Sequence, residues 1–279
     1  MLKIFLINLK RRSDRLVHVK QQLDQLGLEF ERFDAFDGTM LSPTLSEENQ
    51  KFQFNVKRKI ALGEIGCAMS HRAIWQRMVE QNLPFALILE DDITIRAELV
   101  GFLADLNNYQ HFDFLNLSYI EPYRVDPQAL DYFVSRQKLR RPHIFHQDRS
   151  EWRKLEWNRS WRIFQIHPTF NQHYAMECDP APLLGSGYIV SLHAAQALLK
   201  ASERFEFPID WVWRYASGQL VEGFTYPCLV TQSLNDSNIN DRHYGNRLPL
   251  KQKIRRFWYK HRKFARRVDL WRMYGLLMF

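Results

Sequence analysis

The stretch "PFALILEDDITI", residues 84 to 95, runs an apolar strand straight into three acids, Glu90, Asp91 and Asp92. Adjacent carboxylates repel one another unless positive charge lies between them. Side chains alternate along a strand, so Glu90 and Asp92 are expected on one side and Asp91 on the other. Two carboxylates converging on one side can hold a hard divalent cation, Mn²⁺ or Mg²⁺, whose shell is completed by water and substrate phosphates. In a parallel sheet, ligands sit beyond the carboxyl ends of the strands, where these acids fall. Asp92 is the first choice as metal ligand and Glu90 the second. The alternative is that Asp92 caps a following helix, "AELVGFLADL", with its neighbours solvated.

Other residues could complete a site. Asp210, in "FEFPIDWVW", has apolar and aromatic neighbours that would raise its pKa by desolvation and suit it to general-base work. It could equally cap the next helix. His71 and Trp75 are i, i+4 on one helical face, with Ser70 beside them. They line a ligand pocket, or His71 is a hydrogen-bonded core histidine and Trp75 is packing. Asn8 ends the first strand, and Arg15, a short turn later, could grip a phosphate bidentately. Arg11 and Arg12 are weaker candidates, and a surface helix arginine is the other reading of Arg15. Gly185, Gly187 and Tyr188 in "GSGYIVS" let backbone approach a ligand closely, or let a strand pack tightly on a helix. His243, in the polar loop "NDSNINDRHYGN", is an additional metal-ligand candidate.

The elements that must position these residues are legible in outline. "KIFLINL" is strand-like, and apolar positions 16, 19, 23 and 26 give the next segment a helical period, with Ser13 as N-cap and Gly27 as stop. "EFERFDAFDG" resumes as strand and turn, so the chain opens β-α-β, which favours a parallel sheet. Residues 63–82 read as a second helix before the strand "FALILE". "DFLNLSY", "LLGSGYIVS" and "TYPCLVTQS" read as strands, with the helix "LHAAQALLKAS" following the second of them. Residues 120–178 are arginine-rich, carry Trp152, Trp157 and Trp161, and lack strand alternation. They read as an elaboration on one domain spanning 1–250.

The chain has 279 residues, 46% of them hydrophobic, enough for one large domain with an insertion. No stretch approaches the roughly 20 apolar residues of a membrane span, and the opening reads as a strand, not a signal peptide. The cysteines, Cys67, Cys178 and Cys228, have no metal-ligand spacing and read as reduced thiols. The net charge of +8 belongs to the tail, where residues 251–272 hold ten basic side chains against Asp269 alone. Apolar residues, among them Phe257, Trp258, Phe264 and Trp271, form a helical stripe there. Residues 251–279 therefore read as a basic amphipathic segment for an anionic membrane surface, with packing on its own domain as the alternative and a nucleic-acid patch disfavoured.

In their order and spacing, "INLKRRSDR", "GEIGCAMSH", "ILEDDI", "GSGYIVS" and "PID" at 208–210 resemble glycosyltransferase family 25, the lipopolysaccharide and lipooligosaccharide biosynthesis transferases. The resemblance implies an α/β fold that is GT-A-like and Rossmann-type, a mixed, mostly parallel sheet flanked by helices. The 120–178 insertion would serve the acceptor. It further implies a UDP-hexose donor, most often UDP-galactose, an inverting transfer to a glycolipid or oligosaccharide acceptor, and a D-x-D-like motif binding the metal. Donor contacts would come from Asn8, Arg15, Ser70, His71, Glu90, Asp91, Gly187 and Tyr188. The expected location is cytoplasmic, peripheral on the inner face of a bacterial inner membrane, with no nucleic acid as partner. Two other classes remain open: a metal-dependent phosphohydrolase or nuclease using the same acids, and a noncatalytic basic membrane- or nucleic-acid-binding protein.

Overall fold

The computed structural model describes residues 2–45, 60–118, 162–205, 207–233 and 263–274, together with residues 124–125, 130, 134 and 155–156. Trp152, Trp157, Trp161, His243 and residues 251–262 lie outside the described residues.

The chain opens with β1 (Lys3–Asn8), α1 (Ser13–Gln25) and β2 (Glu31–Asp34). It continues through α2 (Leu62–Glu80), β3 (Phe85–Glu90), β4 (Ile93–Ile95), α3 (Glu98–Ala104) and β5 (Phe114–Asn116). Next come β6 (Arg162–Pro168), β7 (Tyr174–Asp179), β8 (Gly187–Ser191) and α4 (Leu192–Ala201). The last elements are β9 (Glu222–Tyr226), β10 (Val230–Gln232) and α5 (Lys263–Tyr274).

Eight strands form one sheet in the order β2-β1-β3-β8-β5-β9-β7-β6. Six of them point the same way, while β7 and β8 run against their neighbours. The expected mixed, mostly parallel sheet flanked by helices is thus present. Its central strands are buried on both faces, which is why β1, β3 and β8 read as continuous apolar runs. Phe5, Ile7, Ile88 and Tyr188 join Ile74, Trp75 and Leu198 of α2 and α4 in one core layer. Ile4, Leu6, Leu87, Leu89 and Ile189 join Val19, Leu23, Leu99 and Phe102 of α1 and α3 in the other.

Several boundaries differ from the sequence reading. Ser13 is the first residue of α1 instead of its cap, and no side chain caps that end. Asp92 does not cap the helix after it, because β4 intervenes and α3 starts at Glu98 behind Ala97. The stretch 225–233 is two strands, since Pro227 offers no N–H to continue the ladder. Residues 162–179, read as part of an elaboration, supply β6 and β7 of the main sheet. Their alternation is masked because β7 is buried throughout its last five residues.

Within the described residues, the tail helix α5 lies on the domain. Arg266 is buried and forms ion pairs of 3.0 Å with Asp179 and 2.9 Å with Glu222, while its Nη1 donates to the Leu220 carbonyl at 3.1 Å. Asp269 accepts from the Gly218 amide at 2.8 Å, and Leu270 is buried. Burial pushes the Glu222 carboxyl up to about 8 despite the guanidinium. Phe264 and Trp271 remain 63% and 50% exposed, so part of the apolar stripe read from the sequence faces outward, while Arg266, Asp269, Leu270 and Tyr274 make inner contacts.

Arg266→Ala would leave two buried carboxylates without their cation. Its unfolding free energy should fall by about 3–5 kcal/mol in urea titration. A loss below about 1 kcal/mol would place these pairs in water, as exposed pairs are worth no more than that.

Candidate active site

The acids of "ILEDDI" emerge at the carboxyl end of β3, beside the ends of β1 and β10. β3 ends at Glu90, and the hydrogen-bond partners of the three acids differ. Glu90 and Asp92 share one neighbour, the Gln232 side-chain amide, which lies 3.4 Å from Glu90 Oε2 and 3.1 Å from Asp92 Oδ1. Asp91 turns the other way, is buried, and accepts from Asn8 Nδ2 at 2.7 Å. Arg15 Nη1 spans the two sides, 3.0 Å from Asp91 and 3.4 Å from Asp92. Part of the positive charge that the triplet requires is therefore this guanidinium, supplied by α1.

Behind Glu90 lies a buried polar network that explains "GCAMSH". Successive turns of α2 place Cys67 and His71 on one side, with His71 Nε2 3.1 Å from Glu90 Oε1 and Cys67 Sγ 3.6 Å from the same oxygen. His71 Nδ1 lies 2.7 Å from the Tyr188 hydroxyl, which also accepts from Trp75 Nε1 at 3.1 Å. Ser70 Oγ donates to the Gly66 carbonyl at 2.8 Å and accepts from the Phe36 amide at 2.9 Å. Gly66 is needed because a Cβ there would sit 2.4 Å from the Phe36 carbonyl oxygen. The start of α2 thus presses directly on the loop after β2.

Between these elements lies a cavity of about 470 Å³, within the range of small-molecule sites. Its wall contains Arg11, Arg15, Asp37, Cys67, Ser70, the three acids, Gly185, Asp210 and Gln232. Asp210 enters from the 3-10 turn Ile209–Tyr215, behind Pro208. Its charge reaches Cys67, whose thiol is pushed well above its usual range by burial, then by Glu90 and Asp210. Burial and the neighbouring Glu90 push Asp92 up to about 7, and Gln232 and Arg15 only partly offset them.

The structure divides the sequence-derived candidates into two groups. Arg15, Ser70, Glu90, Asp91, Asp92 and Asp210 meet at the cavity. Asn8, His71, Gly187 and Tyr188 do not line it. Asn8 is fully buried and also accepts from Arg32 at 3.1 Å, so its capacity is committed inside the fold. Gly187 packs against Val230, where a Cβ would meet the side chain at 3.1 Å. His71 and Tyr188 stand behind Glu90 and orient it. Gln232, Cys67 and Asp37 were not singled out, because a lone polar residue in a strand, helix or turn carries no spacing signal.

The carboxylates suit a hard divalent cation on an observation of their own: Glu90 Oε2 and Asp92 Oδ1 face one amide, and burial together with the Glu90 charge keeps Asp92 hard to ionise.

With this geometry established, the chain's relatives can be placed. The model of glycosyltransferase family 25 (LPS biosynthesis protein) matches residues 1–213, and the chain belongs to that family. A glycosyltransferase 25 family member of Anopheles gambiae is 35% identical over 127 residues, 40% of this chain and 21% of that protein. Procollagen galactosyltransferase 1-B of Xenopus laevis is 38% identical over 97 residues, 33% of this chain and 16% of that protein. A putative glycosyltransferase of Haemophilus influenzae is 34% identical over 89 residues, 32% of each chain. The chain matches about a fifth of the length of its insect relatives. A crystal structure of a glycosyltransferase involved in glycosylation of the major capsid of PBCV-1 superposes over 85% of this chain and 94% of that one, at 8% identity and a TM-score of 0.39.

The raised pKa of Asp92 has a stability consequence. Its folded value of about 7 lies above the ordinary 3.8, so the penalty is absent below pH 3.8, grows with pH, and is complete above about 7. In metal-free buffer, Asp92→Asn should raise stability at pH 8 by on the order of 1–3 kcal/mol and leave it unchanged at pH 4. Thermal melts at both pH values check this. An equal effect at both would place Asp92 in solvent.

Proposed function

We propose that the chain is an inverting glycosyltransferase moving a hexose, galactose from UDP-galactose, onto a lipooligosaccharide or lipopolysaccharide glycan. The observation that carries this is the pairing of Glu90 and Asp92 around one point of a cavity that also holds Arg15 and Asp210. Family membership and relatives named galactosyltransferases support it.

Sugar transfer breaks the bond between the anomeric carbon and the diphosphate oxygen, and the departing diphosphate takes the electron pair. The acceptor hydroxyl oxygen forms the new bond from the opposite face, and its proton must go to a base. Asp210 serves as that base: it lies on the cavity wall, carried by a different element than the triplet. Asp92 and Glu90 would hold Mn²⁺ or Mg²⁺, which when bound supplies Lewis-acid stabilisation of the diphosphate charge. Arg15 adds a fixed cation, held by Asp91 so that little reorganisation is needed. His71, hydrogen-bonded between Tyr188 and Glu90, keeps the Glu90 carboxylate aimed at the cavity. Ser70 and Gly185 contribute wall surface for the donor.

The outward face of α5, with Phe264 and Trp271 among arginines, fits contact with an anionic membrane surface. No described helix is long and apolar enough to cross a membrane. A peripheral station at the inner leaflet would bring the cavity to a growing glycolipid.

A thermal-shift panel of nucleotide sugars tests the donor reading. UDP-hexoses with Mn²⁺ should stabilise the protein, and Asp92→Ala should lose the metal-dependent part. No shift with any UDP compound would reject the proposal. Asp210→Asn should lower kcat by about 10²–10⁴-fold with donor binding kept. For the membrane arm, Phe264→Ser combined with Trp271→Ser, which keeps Arg266 in place, should abolish sedimentation with anionic vesicles, and unchanged sedimentation would refute it.

A further inference from the structure

A second polar cluster lies at the far end of the sheet. His111 precedes the amino end of β5, whereas the candidate active site lies beyond the carboxyl ends of the strands. His167 is on β6 and Glu177 on β7, at diagonal positions of the same face, since Gln165 pairs with Glu177 and His167 with Ala175. Three residues distant in sequence thus meet at one carboxylate oxygen. His111 Nε2 is 2.9 Å and His167 Nε2 3.3 Å from Glu177 Oε2.

We propose that His111, His167 and Glu177 form a binding site for a borderline transition-metal ion of the zinc class, separate from the donor cavity. The donor set carries the choice of ion: two imidazoles and one carboxylate favour zinc-class ions over the hard cations that prefer oxygen alone. The spacing fits as well. Ligand atoms about 2.0–2.1 Å from a tetrahedral ion lie roughly 3.4 Å from each other. The three candidate atoms all lie within 4.8 Å of one another, and the two nitrogen–oxygen separations are already near that edge.

The surroundings hold the ligands in place. The two imidazole centroids are 4.9 Å apart, and the buried Phe112 packs beside both, edge-on to His111 at 5.2 Å and to His167 at 5.5 Å. Gly223 backs it so closely that a Cβ there would meet the Phe112 ring at 2.6 Å. Burial would raise the Glu177 carboxyl, but hydrogen bonds from His111 and His167 prevail and hold it at about 2. Tyr274 belongs to α5 and stacks on Phe164 of β6 at 3.9 Å. His111 is 48% exposed, which leaves an entry path and a fourth position for water. An ion here would tie the lead into β5 to the β6–β7 edge and, through Tyr274, to the tail helix.

The test uses the full chain, stripped with a chelator, dialysed against Zn²⁺ and passed through a desalting column before its zinc is measured by mass spectrometry. Zinc should be retained by the wild type and by Cys67→Ser, and lost in His111→Ala and His167→Ala. Excess Mg²⁺ should not displace it. Zinc should also raise the thermal midpoint of the wild type and not of either histidine variant. His111 is exposed, so His111→Ala should keep the wild-type circular dichroism spectrum even where His167→Ala does not. Wild-type zinc content in His111→Ala, or none in the wild type, would overturn the proposal. So would loss in Cys67→Ser alone, which would assign the ion to the Cys67–His71–Glu90 cluster.

Discussion

Three like charges at the end of β3 are the constraint around which this protein is organised. They are tolerated because groups from four other elements converge on them: Asn8 from β1, Arg15 from α1, His71 from α2 and Gln232 from β10. Each of those partners is itself fixed by the fold, so strand order and helix placement translate directly into the positions of the carboxylates. The compensation is incomplete. Burial, and then the neighbouring Glu90, hold Asp92 at a pKa of about 7, so the end of β3 retains a demand for positive charge that a bound ligand can meet.

The motif residues serve this arrangement at two depths. Arg15, Ser70 and the acids reach the cavity, whereas Asn8, His71, Trp75 and Tyr188 form the layer behind it. That layer is buried and hydrogen-bonded throughout, which orients Glu90 without contact between the supporting groups and the cavity. Glycines have the same logic. Gly66 lets α2 touch the backbone after β2, and Gly187 lets β8 lie against Val230. Both are packing requirements, although they sit in segments that read as ligand-binding signatures.

The far side of the sheet is held by a different chemistry. Arg266 reaches from α5 into a buried pair of carboxylates, and Leu270 and Tyr274 pack beside it, so charge and apolar contact together join this helix to the domain. Phe264 and Trp271 remain outside among basic residues. The cluster of His111, His167 and Glu177 borders the same helix through Tyr274, which makes this edge a second polar centre remote from the cavity.

Local pattern alone determined much of the frame. Apolar runs announced β1, β3 and β8, and the helical period announced α1, because burial on one or both faces leaves a trace in the chain itself. Alternation along β3 anticipated the separate hydrogen-bond partner of Asp91, although β3 ends at Glu90 and all three acids line one cavity. Pairing between distant residues left no such trace. That Arg15 would neutralise Asp91, that Gln232 would bridge Glu90 and Asp92, or that His111 would meet His167 and Glu177 depended on strand order and register. Residues 162–179 were hidden for a related reason, since a strand buried by its neighbours on both faces shows no alternation. One-dimensional periodicity records which way a side chain faces; only the tertiary structure decides which other charge it finds there, because electrostatic compensation acts through space and not along the chain.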